Sequence, residues 1–175
     1  MHGNREIVVW LAQSIEAVTG VEIGVHKGRQ SAALLENVST LQLLHSVDPW
    51  ARYEGWHSYS DPDLDRDRDK LNSWHIETLH RLHPYGQRSM VVRAMAQDYA
   101  RFVKHKLCFA YIDGNHESPF VDRDIKLWLP KVRSGGLLIG HDYGKGSTDV
   151  KTAVDKVFGD RVKNPGARVW YVEVE

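Results

Sequence analysis

Short apolar runs alternate with stretches of helical periodicity from one end of the chain to the other. In REIVVWLAQSIEAV (5–18), Ile7, Trp10, Leu11 and Ile15 fall at three- and four-residue steps, which predicts a first helix ended by Gly20. VEIGV (21–25) reads as a short buried strand, SAALLEN (31–37) as the helix it feeds, and LQLLHSVD (41–48) as a second strand closing on Asp48. From Pro49 to about Lys70 the Pro, Gly, Ser and Asp content predicts a loop; Leu71, Trp74, Thr78, Leu79 and Leu82 then form a helical stripe stopped by HPYG. SMVVRAM (89–95) is the third predicted strand, DYARFVKH (98–105) a helix, and LCFAYID (107–113) the fourth strand. FVDRDIKLWLPKV (120–132) is a helix with Pro130 near its end, GGLLIGHD (135–142) the fifth strand, and DVKTAVDKVFG (149–159) the last helix. A turn at Asn164, Pro165 and Gly166 precedes VWYVEV (169–174), whose alternation predicts an antiparallel edge strand.

Strands and helices in this order imply βαβ units and a parallel sheet covered on both faces, an α/β fold. At 175 residues and 20.0 kDa the chain is long enough to bury a core without disulfides, and residues 1–175 are expected to form one domain. Its 23 basic and 23 acidic side chains leave no formal charge to draw in a polyanion, so no nucleic-acid partner is expected. The longest apolar runs, LCFAYI and GGLLIG, fall far short of the ~20 residues that span a bilayer. No basic start leads into an extended apolar stretch at MHGNREIVVW, so the expected location is cytoplasmic, with no membrane partner. The lone Cys108 opens an apolar run and reads as a small core residue in a reducing compartment.

In open α/β sheets, ligands gather beyond the carboxyl ends of the strands, where strand order reverses. The ionisable residues of this chain fall at such ends. VEIGVHKG puts an acid, Glu22, in a strand and two glycines, Gly24 and Gly28, before a helix, so backbone N–H groups can approach a ligand; an ordinary tight turn reads the same way. A dinucleotide fingerprint would need glycine where His26 stands, which disfavours a nicotinamide cofactor. Asp48 is placed either to hold a ribose diol or to cap the turn at Pro49. Further on, one apolar strand runs into Asp113 and His116, and another into His141 and Asp142, which implies a shared pocket. His116 titrates near neutral pH and lies just past a strand end; it reads as a general base or as a cap of the following helix.

The stretches EIGVHKG, VDPW, YIDGNH, DIKLWLPKVRSGGLLIGHDY and DVKTAVD resemble the class I S-adenosylmethionine-dependent methyltransferases, and specifically the family called methyltransferase domain 24, over roughly residues 20–158. The resemblance implies a Rossmann-like seven-stranded sheet, mostly parallel, with helices on both faces and an antiparallel last strand. It implies that Glu22, Gly24 and Gly28 hold the methionine end of S-adenosylmethionine and that Asp48 takes its ribose. Ala96 and Gln97, in AMAQD, would line the adenine. His116 occupies the slot of a basic residue three positions after a first metal-binding acid, Asp113. Asp113, His141 and Asp142 would then hold a divalent cation, Mg²⁺ or Mn²⁺, that lowers the pKa of an acceptor hydroxyl; imidazole suits Mn²⁺ better than Mg²⁺. A metal-free reading keeps the same four residues around the acceptor.

Two departures from the family pattern stand out. Relatives place a small hydroxyl residue two after the second glycine, whereas Gln30 stands here with Ser31 next, which moves the expected carboxylate contact by one position. Relatives also carry an aromatic residue two after the site histidine, where this chain has Ser118. The implied activity is O-methylation of a hydroxyl on a sugar or other small metabolite. Two alternatives stay open: a metal-independent N-methyltransferase on the same fold, and a cofactor-binding module without catalysis. Trp50, Tyr53, Trp56 and Tyr59, at three-residue steps, read as one face of a packed flap, and a homodimer is one way to cover the acceptor. Asp61 to Asp69 alternate with other residues as in a calcium loop but lack its sharp-turn glycine, so a solvated loop is expected.

Overall fold

The structure, a computed structural model, describes residues 3–52, 68–144 and 148–175. Tyr53, Trp56, Tyr59 and the aspartates of 61–67 lie outside the described residues. The strands are β1 (Thr19–Ile23), β2 (Leu43–Asp48), β3 (Ser89–Arg93), β4 (Leu107–Ile112), β5 (Val132–Gly140), β6 (Lys163–Gly166) and β7 (Val169–Glu173). They form one seven-stranded sheet in the order β3-β2-β1-β4-β5-β7-β6. β1 to β5 pair in parallel, and β7 runs antiparallel to both β5 and β6. The helices are α1 (Asn4–Ser14), α2 (Arg29–Asn37), α3 (Arg68–Leu82), α4 (Ala96–Ala100), α5 (Phe120–Trp128) and α6 (Thr148–Phe158).

Strand alternation divides the core between two faces. Val21, Ile23, Ala110, Ile112 and Leu138 pack against Ala100 of α4, Ile125 and Trp128 of α5, and Val154 of α6. Phe109, Tyr111, Leu137 and Ile139 face the other way, onto Ile7, Val8 and Leu11 of α1 and Leu34 and Leu35 of α2. Every residue of β4 is buried, as expected for a central parallel strand covered on both sides. Of the stripe read from the sequence, α1 buries Ile7 and Leu11, joined by Val8 and Ala12, while Trp10 is 53% exposed; the helix stops at Ser14, before Ile15, where the Ser14 hydroxyl donates to the Leu11 carbonyl. Gly20 does not end it; it sits in β1 under the Phe109 ring, where a Cβ would lie 2.3 Å from the ring.

Three further expectations are revised. Helix α4 is short because Val103 turns back into the core while Phe102, at 69% exposure, does not. VWYVEV is antiparallel as expected but is no edge: β7 inserts between β5 and β6. The predicted turn residues Asn164, Pro165 and Gly166 belong to the edge strand β6, and the chain reverses at Ala167 and Arg168, both with positive φ (47° and 59°).

Candidate active site

Strand order reverses between β1 and β4, and the ends of β1, β4 and β5 lie side by side there. The ladder steps on past each strand: the Asp113 N–H donates to the Ile23 carbonyl (2.8 Å), and the His141 N–H to the Ile112 carbonyl (3.2 Å). At the end of β1 Gly24 has φ 88°, and a Cβ there would stand 2.0 Å from the Asp113 carbonyl oxygen. Only glycine lets the turn after β1 lie directly on the end of β4. Gly28, φ 71°, precedes α2 and packs on Thr78 of α3.

This turn is held from two sides. Asp48 Oδ2 accepts the N–H groups of Val25 and His26, both at 3.0 Å, and Oδ1 accepts that of Trp50 at 2.7 Å. Burial raises its pKa, and the three donors offset this only in part. The turn-capping reading of Asp48 is thus the geometry seen; a ribose diol would share the remaining lone pairs. From the other side the His26 carbonyl accepts Trp50 Nε1–H (2.7 Å) and the Thr78 hydroxyl (3.1 Å), and Arg81 of α3 donates to the Lys27 carbonyl. Trp50, at 2% exposure, packs in the core.

Glu22 is buried behind the turn, accepting from the Ser31 hydroxyl, which also lies 2.8 Å from Ser46 Oγ. Burial pushes the Glu22 carboxyl up to about 8, against the downward pull of Ser31. Ser31 is thus turned inward, onto Glu22 and Ser46. Gln30, in the first turn of α2, is buried with both amide atoms unpaired. Gln97 Oε1, at the start of α4 beside the buried Ala96, is also buried and without a partner. Orphaned buried polar atoms point to a ligand or water that completes them.

Past β4 and β5, four ionisable side chains converge. His116 Nε2 lies 3.0 Å from Asp142 Oδ2 and 3.6 Å from Asp113 Oδ1, ion pairs without straight hydrogen-bond alignment. His141 Nδ1 lies 3.5 Å from Asp113 Oδ1 and 3.3 Å from Asp142 Oδ2. Burial pushes both imidazoles down, but the two carboxylates outweigh it and raise His116 to about 9 and His141 to about 10. Burial likewise works against ionised Asp113 and Asp142, and the imidazoles outweigh it, holding both carboxyls below the ordinary range.

Three members of the site were not read from the sequence. Tyr111, buried in β4, donates its hydroxyl to Asp113 Oδ2 at 2.8 Å. Arg168, in the β6–β7 turn, puts Nη1 2.8 Å from Asp142 Oδ1. Asn4, at the start of α1, brings Nδ2 within 3.4 Å of His141 Nε2. Tyr111 carried a signal in its i,i+2 spacing to Asp113; the other two arrive from the ends of the chain.

The donor set suits a divalent ion. One ligand atom each from Asp113, His141 and Asp142 lies within 4.8 Å of the others. His141 Nε2, 3.2 Å from the Ala167 carbonyl, can donate there, which leaves Nδ1 facing the carboxylates, the arrangement that orients a metal-bound imidazole. An imidazole with two carboxylates favours Mn²⁺, Fe²⁺ or Zn²⁺ over Mg²⁺.

The family match and the sheet order together define a class I S-adenosylmethionine-dependent methyltransferase. Residues 21–143 match the family model of a methyltransferase domain, methyltransferase domain 24, and the chain belongs to that family. Among solved structures it is similar to the O-methyltransferase from Bacillus cereus in complex with SAH, at 14% identity and a TM-score of 0.67 over 97% of this chain and 80% of that one. TomG, the O-methyltransferase from Streptomyces achromogenes involved in tomaymycin synthesis, in complex with SAM, matches at 14% identity and 0.68, over 98% and 79%. CalS11, the TDP-rhamnose 3'-O-methyltransferase of calicheamicin biosynthesis, matches at 15% and 0.64, over 97% and 78%. At these identities the likeness speaks for the fold. No curated protein matches the chain.

Proposed function

We propose that this methyltransferase acts on a hydroxyl of a sugar or another small metabolite, using S-adenosylmethionine. The observation that carries the reading is the meeting of Asp113, His116, His141 and Asp142 directly beside the Gly24 turn. The cofactor supplies an electrophilic methyl on a sulfonium, and in-line transfer asks the protein for alignment, water exclusion and removal of one proton. The first turn of α2 offers its backbone N–H groups to the methionine carboxylate, and the backbone without side chains at Gly24 and Gly28, whose own N–H groups bond Val47 and Val25, lets that end approach, with Glu22 behind them. Asp48 takes the ribose at the edge of the same turn, and Ala96 with the orphaned Gln97 Oε1 receives the adenine and its amino group.

His116 accepts the proton of the acceptor hydroxyl. Its raised pKa sets the condition for doing so, because an imidazolium is no base. A divalent cation on Asp113, His141 and Asp142 would polarise the acceptor hydroxyl and offset the carboxylate field that keeps His116 protonated. One observation favours the second reading, metal-independent transfer to an amine: both oxygens of Asp142, and Asp113 Oδ1, already face imidazole or guanidinium partners. Both readings predict saturable calorimetric binding of S-adenosylhomocysteine, and a screen of hydroxylated and amino acceptors then separates them. For O-methylation, Asp113→Asn should lower turnover by about 100-fold or more while S-adenosylhomocysteine binding persists. Full turnover in Asp113→Asn, or in wild type with a chelator present, would sink the metal-assisted mechanism.

A further inference from the structure

Arg168 occupies the second position of the two-residue turn between β6 and β7, at φ 59°, after Ala167 at φ 47°. Such turns favour Asn-Gly, because both positions are left-handed and side chains with a Cβ are strained there. Nothing in the local sequence asks for arginine, so its place is set by what it reaches. The turn is strapped to the site: the Arg168 carbonyl accepts the Tyr143 N–H at 2.9 Å, and the Ala167 carbonyl faces His141 Nε2 at 3.2 Å. The guanidinium is thereby delivered to Asp142, with Nη1 2.8 Å from Oδ1. Asp142 is itself left-handed, φ 57°, and its other oxygen faces the two imidazoles.

We propose that Arg168 is the cation that a divalent ion displaces from Asp142 Oδ1, and hence a positioning residue that sets the metal affinity. The inference rests on the metal-assisted reading above. It follows from charge and access. A dication bound through Asp142 would stand close to the guanidinium, and like charges sharing one carboxylate repel. The Asp142 side chain is 9% exposed and cannot move away, whereas Arg168 is 54% exposed and has water to withdraw into. In the ion's absence Arg168 supplies the countercharge that keeps Asp142 aimed at the cluster.

The test is calorimetric titration of MnCl₂ into the whole chain, without cofactor, for wild type, Arg168→Gln, Arg168→Lys and Asp142→Asn. Removing the charge in Arg168→Gln should tighten Mn²⁺ binding about fivefold, the scale of a half-exposed ion pair of about 1 kcal/mol. Arg168→Lys keeps the charge and should stay near wild type, and Asp142→Asn should lose binding. A purely structural arginine would leave Arg168→Gln equal to wild type or weaker, and either result overturns the proposal. So does Mn²⁺ binding by none of the proteins. Titration of S-adenosylhomocysteine into the same samples reads the cofactor assignment separately, so a failure there is told apart from a failure of the ion exchange.

Discussion

Tyr111 is buried completely in β4, and its hydroxyl gives Asp113 the donor that the two imidazoles do not supply, on Oδ2. Burial and then the Asp113 carboxylate hold the phenol well above its ordinary pKa, so it remains a donor at any working pH. Tyr111→Phe should leave a half-buried carboxylate oxygen short of a partner and cost about 1 kcal/mol of unfolding free energy, read as a lower urea midpoint at unchanged slope. An unchanged midpoint would mean that water replaces the hydroxyl without loss. Asp113, His116, His141 and Asp142 were legible in the sequence because each follows a strand at short range, and an apolar run fixes where that strand ends. Gln30 was not, since a glutamine in a helix looks like surface until the fold buries it. Arg168 and Asn4 act across 26 and 137 residues, from Arg168 to Asp142 and from Asn4 to His141, and no local pattern encodes such a distance.

Among the elements, those with strong periodicity came through with small boundary shifts. β1, β2, β4, α2 and α5 are where the apolar pattern put them, because both faces of this sheet are buried and register follows hydrophobicity. The short elements were misread. β6 carries Asn164, Pro165 and Gly166, whose residue types signal a turn; pairing with β7 overrides that preference at an exposed edge, where proline needs no ladder partner on its open side. Helix α3 is already formed at Arg68, earlier than the apolar stripe showed, because its residues 68–70 are polar and largely solvent-facing. Its function was also hidden: through Thr78 and Arg81 it clamps the backbone of the turn after β1, a role carried by main-chain acceptors that any sequence would have offered.

Across the whole molecule, buried ionisable groups set how stability follows pH. Glu22 holds its proton to about 8, against 4.5 for an ordinary glutamate, so its contribution is fully present below 4.5 and is lost as pH rises through 8. Asp124, buried in α5 and raised by burial to about 6, acts the same way between 3.8 and 6. His45, lowered by burial to about 4, opposes it: its contribution is present above 6.5 and lost as pH falls through 4. The two nearly cancel in mild acid, and Glu22, joined by His116 and His141 with their raised values of about 9 and 10, leaves a decline toward alkali. Glu22→Gln should stay near wild type in thermal unfolding at pH 5 and exceed it at pH 9, by on the order of 5 kcal/mol. Parallel curves for the two proteins would show that Glu22 ionises freely in the fold.

The hairpin of β6 and β7 adds a last consequence. The turn after β1 hangs on interior strands, whereas Arg168 and the Ala167 carbonyl hang on a ribbon whose outer strand is exposed and has one neighbour. Fraying begins at such margins. The half of the cleft assigned to the acceptor should therefore breathe while the half assigned to the cofactor stays shut. Deuterium should replace the Tyr143 amide proton, bonded to Arg168, well before that of Gly24, bonded to Val47. Equal protection at the two amides would mean that the ribbon and the interior open together.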